Sequence, residues 1–258
     1  MGCSLAWTMD ATEFDRLVSR ARDPRLIPGV YNYCDGRCPR CPFTQRCLTF
    51  LDTQELVDAN RGKRSLADTI GDSLRRTLEM LAEAARRAGV DIGAPTDEGG
   101  EAPAEADLER HRQDPLAVRA REYGALAWRI SRAIAPVAAA RGDAPLVEAV
   151  ETIEWFSSMI GSKVYRAICG QAEGWEGRDE AQTDFNGSAK IALISIAESR
   201  RAWGVLMEAG RATADGVPAR AVKMLEALDA DIRERFPRVM EFVRPGFDEP
   251  EAVEGGTR

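Results

Sequence analysis

The sequence contains a single histidine, His111, among its 258 residues. Carboxylate-bridged di-iron proteins place Glu-x-x-His motifs on two helices of a bundle. No Glu-x-x-His motif occurs in this sequence, which argues strongly against that class of enzyme. His111 lies in or beside a polar stretch, and this position favours a solvated side chain over a metal ligand.

Signals for membrane insertion and secretion are also missing. No apolar run is long enough to cross a membrane, and no secretory signal is recognisable. We therefore expect a cytoplasmic protein without a membrane partner. The formal net charge is −7, which argues against nucleic acid as a partner because nucleic-acid-binding proteins usually carry a basic face.

The alternation of apolar and polar residues that marks a β-strand does not persist in any segment. Apolar residues recur instead at steps of three or four, as in amphipathic helices. The sequence therefore predicts an all-α fold, a bundle of about five long helices with a cysteine-rich metal-binding loop near the N-terminus.

This pattern divides the chain into three segments. Residues 1–64 form an N-terminal segment that carries the cysteine loop, and residues 65–247 form the helical bundle. A polar linker is expected at 91–113, where Pro, Gly and acidic residues are frequent. The acidic tail 248–258 is expected to be disordered.

Helix boundaries are marked by local signals. Ser65 and Asp68 resemble a capping box, and Asp114 precedes a proline in the first helical turn. Within the predicted helices, Pro136 should kink or end one helix, and Gly170 should end the next.

Four of the six cysteines, Cys34, Cys38, Cys41 and Cys47, fall within fourteen residues and have the spacing C-x3-C-x2-C-x5-C. Disulfides are the least favoured explanation, because a chain of this length can bury its own core and carries no secretory signal. Zinc needs four ligands at tetrahedral corners, and structural zinc sites usually draw two separated pairs. Consecutive, closely spaced ligands suit an iron–sulfur cluster wrapped by one loop. The spacing thus favours a [4Fe-4S] cluster, and zinc remains the alternative.

The residues between the cysteines fit a cluster-binding loop. Gly36 and the two prolines of the motif disfavour a helix and favour turns. Arg37, Arg40 and Arg46 can offset the negative charge of thiolate-bound iron. Aromatic neighbours could shield a cluster from water, although they fit an ordinary core equally well.

Residues 38–47 resemble the C-x2-C-P-F/Y-x3-C segment of the RecB-like nucleases that carry an iron–sulfur staple. The resemblance implies that the cysteines of this segment hold a [4Fe-4S] cluster. It covers ten residues, and the strand-borne Asp, Glu-x-Lys and Gln-x3-Tyr of those nucleases are not found. The resemblance therefore does not extend to nuclease activity.

The first three cysteines also have the spacing of the radical S-adenosylmethionine enzymes. Those enzymes need a β/α barrel, an open iron position and usually an aromatic residue before the third cysteine. Here Arg40 holds that place, βα alternation is missing, and Cys47 offers a fourth ligand. We treat this match as coincidence.

A second candidate site lies on two central helices, predicted at about 143–169 and 186–209. Each is apolar on two sides and should pack on two sides. Charged residues interrupt or flank their apolar stripes. Buried charges persist only when they are paired or bound, so these residues form either a salt-bridge network or a polar site. The residues in question are Glu151, Glu154, Lys163, Lys190, Glu198 and Arg200.

The sequence favours an iron–sulfur protein that acts in electron transfer or redox sensing, or that uses the cluster as structural support. Its partner would be a redox protein or a small molecule. One alternative is a zinc-stabilised interaction module. Another is a cluster-dependent enzyme with its polar site between the central helices.

Overall fold

The computed structural model describes residues 9–61, 65–91, 105–173, 179–209 and 216–248. Within these ranges the chain is helical and forms no strand, which confirms the all-α prediction. The α-helices are α1 (Ala11–Ala21), α2 (Leu48–Asn60), α3 (Leu66–Ala88), α4 (Glu105–Arg112), α5 (Pro115–Arg141), α6 (Ala144–Ala172), α7 (Asp184–Glu208) and α8 (Val217–Arg235).

The chain forms two compact units. The first comprises Met1–Asn32 and Gly36–Ala102, and the second comprises Tyr33–Asp35 and Pro103–Arg258. Helix α3 therefore belongs to the first unit, whereas the sequence analysis placed it in the bundle. Of the five long helices in the described residues, α3 lies in the first unit and α5 to α8 lie in the second.

In the first unit, charged side chains link the three helices. Arg87 of α3 pairs with Asp15 of α1 and lies over the ring of Phe14, 4.4 Å from its centroid. Arg20 of α1 pairs with Asp52 of α2 at 3.1 Å. The apolar stripe of α3 stays exposed in this unit and consists of Ile70, Leu74, Leu78 and Leu81.

In the second unit, α6 packs against α5 and α7, and α8 packs against α5 and α7. The two central helices α6 and α7 are thus covered on two sides, as their apolar pattern predicts. Large side chains fill the interior, among them Phe156, Tyr123 and Trp203, all fully buried. The indole Nε1 of Trp203 donates to the Tyr123 hydroxyl at 3.1 Å, which satisfies a buried polar group.

Local capping signals set the helix starts. Ser65 and Asp68 form a reciprocal capping box at α3, Asp114 accepts from the Leu116 N–H at α5, and Asp143 accepts from the Leu146 N–H at α6. These side chains satisfy backbone N–H groups that have no partner inside the helix.

Of the two predicted helix boundaries, the stop at Gly170 is wrong, and Pro136 lies inside a helix. Helix α5 runs through Pro136 to Arg141. A proline removes one backbone donor, and the fully buried Ala138 beyond it shows that packing continues past that position. Helix α6 continues past Gly170 to Ala172. An added Cβ at Gly170 would lie 3.4 Å from the Cβ of Phe185, so the helix packs against Phe185 at this position.

The structure differs in part from the linker predicted at 91–113 and from the disordered tail predicted at 248–258. Residues 91–113 contain α4, and residues 92–104 lie outside the described ranges. At the C-terminus, Asp248 forms ion pairs with Lys190 at 2.7 Å and Arg244 at 2.8 Å, so it is held by the second unit. Residues 249–258 lie outside the described ranges. Among the helices that the structure describes, none combines the length and apolar character needed to span a bilayer.

Candidate functional site

Cys38, Cys41 and Cys47 lie in the first unit, in the irregular segment between α1 and α2. Two short 3-10 turns, Cys38–Arg40 and Thr44–Arg46, are the regular structure of this segment. The Phe43 N–H donates to Cys41 Sγ at 3.4 Å, the type of bond that stabilises a thiolate or a metal-bound sulfur. All three cysteines are half-buried. The structure has turns and no α-helix between Arg22 and Cys47.

Cys34 belongs to the second unit, between two residues that are fastened to the central helices. The Tyr33 hydroxyl donates to Asp184 Oδ1 on α7 at 2.9 Å. Its ring meets the Phe242 ring edge-on, with the centroids 4.6 Å apart. On the other side, the Trp155 Nε1 of α6 donates to the Asp35 carbonyl at 2.8 Å. The backbone around Cys34 is therefore anchored at both of its neighbours.

Gly187 makes room for the Tyr33 ring on α7. A Cβ at this position would lie 2.4 Å from Cε1 of Tyr33 and 2.7 Å from Cζ of Phe242. Only a residue without a side chain allows this close approach. The anchor of the Cys34 segment thus depends on a glycine in the first turn of α7.

The ionisable side chains around Tyr33 influence one another's pKa. Burial raises the pKa of Tyr33 to about 12, and its bond to Asp184 adds to the effect. Burial also opposes ionisation of Asp184, but hydrogen bonds from Arg166 and Tyr33 outweigh it and lower the pKa of this carboxyl. Burial lowers the pKa of Lys163; Arg166 acts in the same direction, whereas Cys34 and Asp184 oppose it. Asp184 is therefore an anionic partner for this group of side chains.

The six residues of the predicted polar site differ in exposure and in partners. Glu151 is exposed, Glu154 lies 3.8 Å from Arg132, and Lys163 lies near Cys34 and Asp184. Each of the three on α7 has its own partner, and the pairs are Lys190 with Asp248, Glu198 with Arg201, and Arg200 with Glu226.

Lys190 is the most buried of the six, at 8% exposure. Its ammonium group donates to the Phe242 carbonyl and pairs with Asp248 at 2.7 Å. A buried cation persists when it is paired and hydrogen-bonded. These contacts fasten the C-terminal segment to α7, so they give Lys190 a structural role.

The cysteine motif fits a metal–sulfur centre by donor type, because it supplies four half-buried thiols and an N–H···S bond. None of the five described cysteines is in a disulfide. In the described part of the chain, no group of three or more His, Cys, Asp or Glu side chains is placed to hold a metal ion.

Sequence reasoning did not identify the partners of Tyr33. Asp184 lies 151 positions away in the chain, and no local pattern joins the two. The one available signal is the cluster of polar residues at the start of α7, Asp184, Asn186 and Lys190, on a helix that is otherwise largely apolar.

Comparison of this chain with protein-family models, with curated proteins and with solved structures finds no match.

Proposed function

We propose that the protein binds a [4Fe-4S] cluster through Cys34, Cys38, Cys41 and Cys47, and that it acts in electron transfer or redox sensing or uses the cluster as structural support. The spacing C-x3-C-x2-C-x5-C is the observation that carries this proposal. Four thiolate ligands would leave no iron position open to substrate, which favours a redox or structural role over catalysis at the metal.

Two properties of the segment support the proposal. Its backbone is irregular, and Gly36 adopts φ +70°, a conformation that glycine accepts readily. The N–H···S bond at Cys41 is the kind of contact that tunes the reduction potential of a cluster.

The test compares four single variants, Cys34→Ser, Cys38→Ser, Cys41→Ser and Cys47→Ser, purified without oxygen. We expect each to lose most of its iron and sulfide, because serine is a much poorer iron ligand than a thiolate. Cys169→Ser is the matched control, since Cys169 is a half-buried thiol outside the motif, and it should keep the content of the unmodified protein.

Far-UV circular dichroism shows whether each variant keeps its helices. Folded motif variants that retain full iron and sulfide would overturn the ligand assignment. Stoichiometric zinc without iron would replace the proposal by the zinc-stabilised interaction module.

A further inference from the structure

The second unit contains a groove of about 710 Å³ between α4, α5 and α6. This volume is in the range of sites for small molecules. The side chains that line the groove come from all three helices and include Arg112, Arg121, Gly124, Trp128, Gly161 and Tyr165. The six residues of the predicted polar site do not line it.

Two glycines of the groove have different roles. At Gly124 of α5, an added Cβ would lie 2.4 Å from the Ser157 carbonyl oxygen, so glycine is required for the close approach of α5 and α6. At Gly161 of α6, an added Cβ would meet nothing closer than 3.9 Å. Packing thus does not require glycine at position 161. Glycine weakens a helix relative to alanine, and its effect here is to leave the floor of the groove open.

The polar end of the groove has a positive balance. Arg112 and Arg121 line it together with one carboxylate, Glu109, in a chain whose net charge is −7. Glu109 accepts from Gln113 at 2.7 Å and lies 3.5 Å from Arg112. Arg121 donates through Nη1 to the Arg112 carbonyl, and a guanidinium has five N–H donors. The fork of Arg121 is suited to an oxyanion.

The other end of the groove is aromatic. Trp128 is 51% exposed and lies seven residues after Arg121, two helical turns farther along the same face of α5. The rise of an α-helix places the two residues roughly 10 Å apart. A ligand that contacts both residues therefore needs an extended apolar body.

The walls of the groove are fixed by contacts within the second unit. Cys169 Sγ of α6 lies 3.6 Å from His111 Nδ1 of α4, and Arg121 joins α5 to the end of α4. Arg235 of α8 pairs with Asp114 between α4 and α5. Since these contacts exist before a ligand arrives, binding requires little ordering of the site.

We propose that this groove binds a small organic anion with a planar apolar body. The anionic group lies at Arg121 and Arg112, and the apolar body covers Gly161 and contacts Trp128. This inference is independent of the cysteine motif, because none of the four cysteines lines the groove.

Fluorescence titration with 8-anilinonaphthalene-1-sulfonate tests the proposal, with neutral N-phenyl-1-naphthylamine as the uncharged comparison. We expect saturable binding of the sulfonate by the native protein, at least about tenfold tighter than that of the neutral probe, as for a charge-assisted contact. Arg121→Gln should remove this preference for the anion and leave the affinity for the neutral probe unchanged.

Gly161→Leu places a side chain in the groove and should weaken both probes at least about tenfold. Its matched control is Gly204→Leu on α7, another glycine inside a helix, where an added Cβ meets nothing within 4 Å. This control should bind both probes as the native protein does. Apolar probes also bind to loosely packed cores. Cooperative thermal unfolding of a variant shows that its core remains packed and that the probe does not bind there.

Absence of saturable binding by the native protein would overturn the proposal, and it is the result expected if another part of this chain or a second copy fills the groove. Equal effects of Gly161→Leu and Gly204→Leu, or equal affinity for the charged and neutral probes, would also overturn it.

Discussion

The close approach of α5 and α6 at Gly124 leads to a stability prediction with an internal control. In Gly124→Ala the new Cβ would lie 2.4 Å from the Ser157 carbonyl oxygen, whereas real Cβ contacts stay beyond 3.0 Å. The two helices must therefore separate locally by at least 0.6 Å (3.0 minus 2.4). Overpacking of this kind costs about 1–3 kcal/mol, and contact with backbone places the cost near the upper end of that range.

Alanine also gains about 1 kcal/mol over glycine inside a helix. The net expectation for Gly124→Ala is a loss of about 2 kcal/mol in the free energy of unfolding. For Gly161→Ala, no atom lies closer than 3.9 Å to the added Cβ, so only the higher helix propensity of alanine matters. We expect the free energy of unfolding to rise by about 0.5–1 kcal/mol.

Urea unfolding followed by tryptophan fluorescence measures both changes. Three of the five tryptophans, Trp128, Trp155 and Trp203, lie on α5, α6 and α7, so a large part of the signal reports on the helices concerned. The reasoning is refuted if Gly124→Ala is as stable as the native protein, or if Gly161→Ala destabilises to the same extent.

Two other substitutions test the contacts around the central helices. Gly187→Ala should displace the Tyr33 ring and break its hydrogen bond to Asp184. We expect the free energy of unfolding to fall by about 1–3 kcal/mol and the Trp155 emission to change. An unchanged emission spectrum would contradict the anchoring of this segment. Asp248 has a pKa held well below its usual range by Arg244 and Lys190 despite burial. Its stabilisation is therefore present above the unfolded pKa of about 4 and is lost as the pH falls. Asp248→Asn should lower stability by about 1–2 kcal/mol at pH 7 and converge with the native protein in acid; a difference that does not change with pH would contradict the ion pairs.

The starts of the helices could be predicted from sequence because the signals are local. A capping side chain lies within three residues of the N–H that it satisfies, as Ser65, Asp114 and Asp143 do. Whether α5 continues or ends at Pro136 could not be predicted, because this depends on how the residues beyond it pack against other helices. Tertiary contacts override the local preference at that position.

The candidate sites show the same limit. The cysteine spacing is visible in the sequence, whereas the anchoring of Cys34 by Tyr33 and Trp155 joins positions far apart in the chain. Periodicity placed Glu198 and Arg200 within apolar stripes. The structure gives each a separate partner, because long charged side chains can reach from a helix face to its edge. The groove beside Gly161 had no sequence signal, since a glycine inside a helix does not reveal whether it serves packing or leaves space.

Metal and sulfide analysis of the protein, purified without oxygen, tests the central claim most directly. We predict iron and acid-labile sulfide in equal amounts, about four of each per chain, with a broad visible absorption that disappears in Cys41→Ser. A colourless protein without iron would contradict the account, whether it carries about one zinc per chain or no metal.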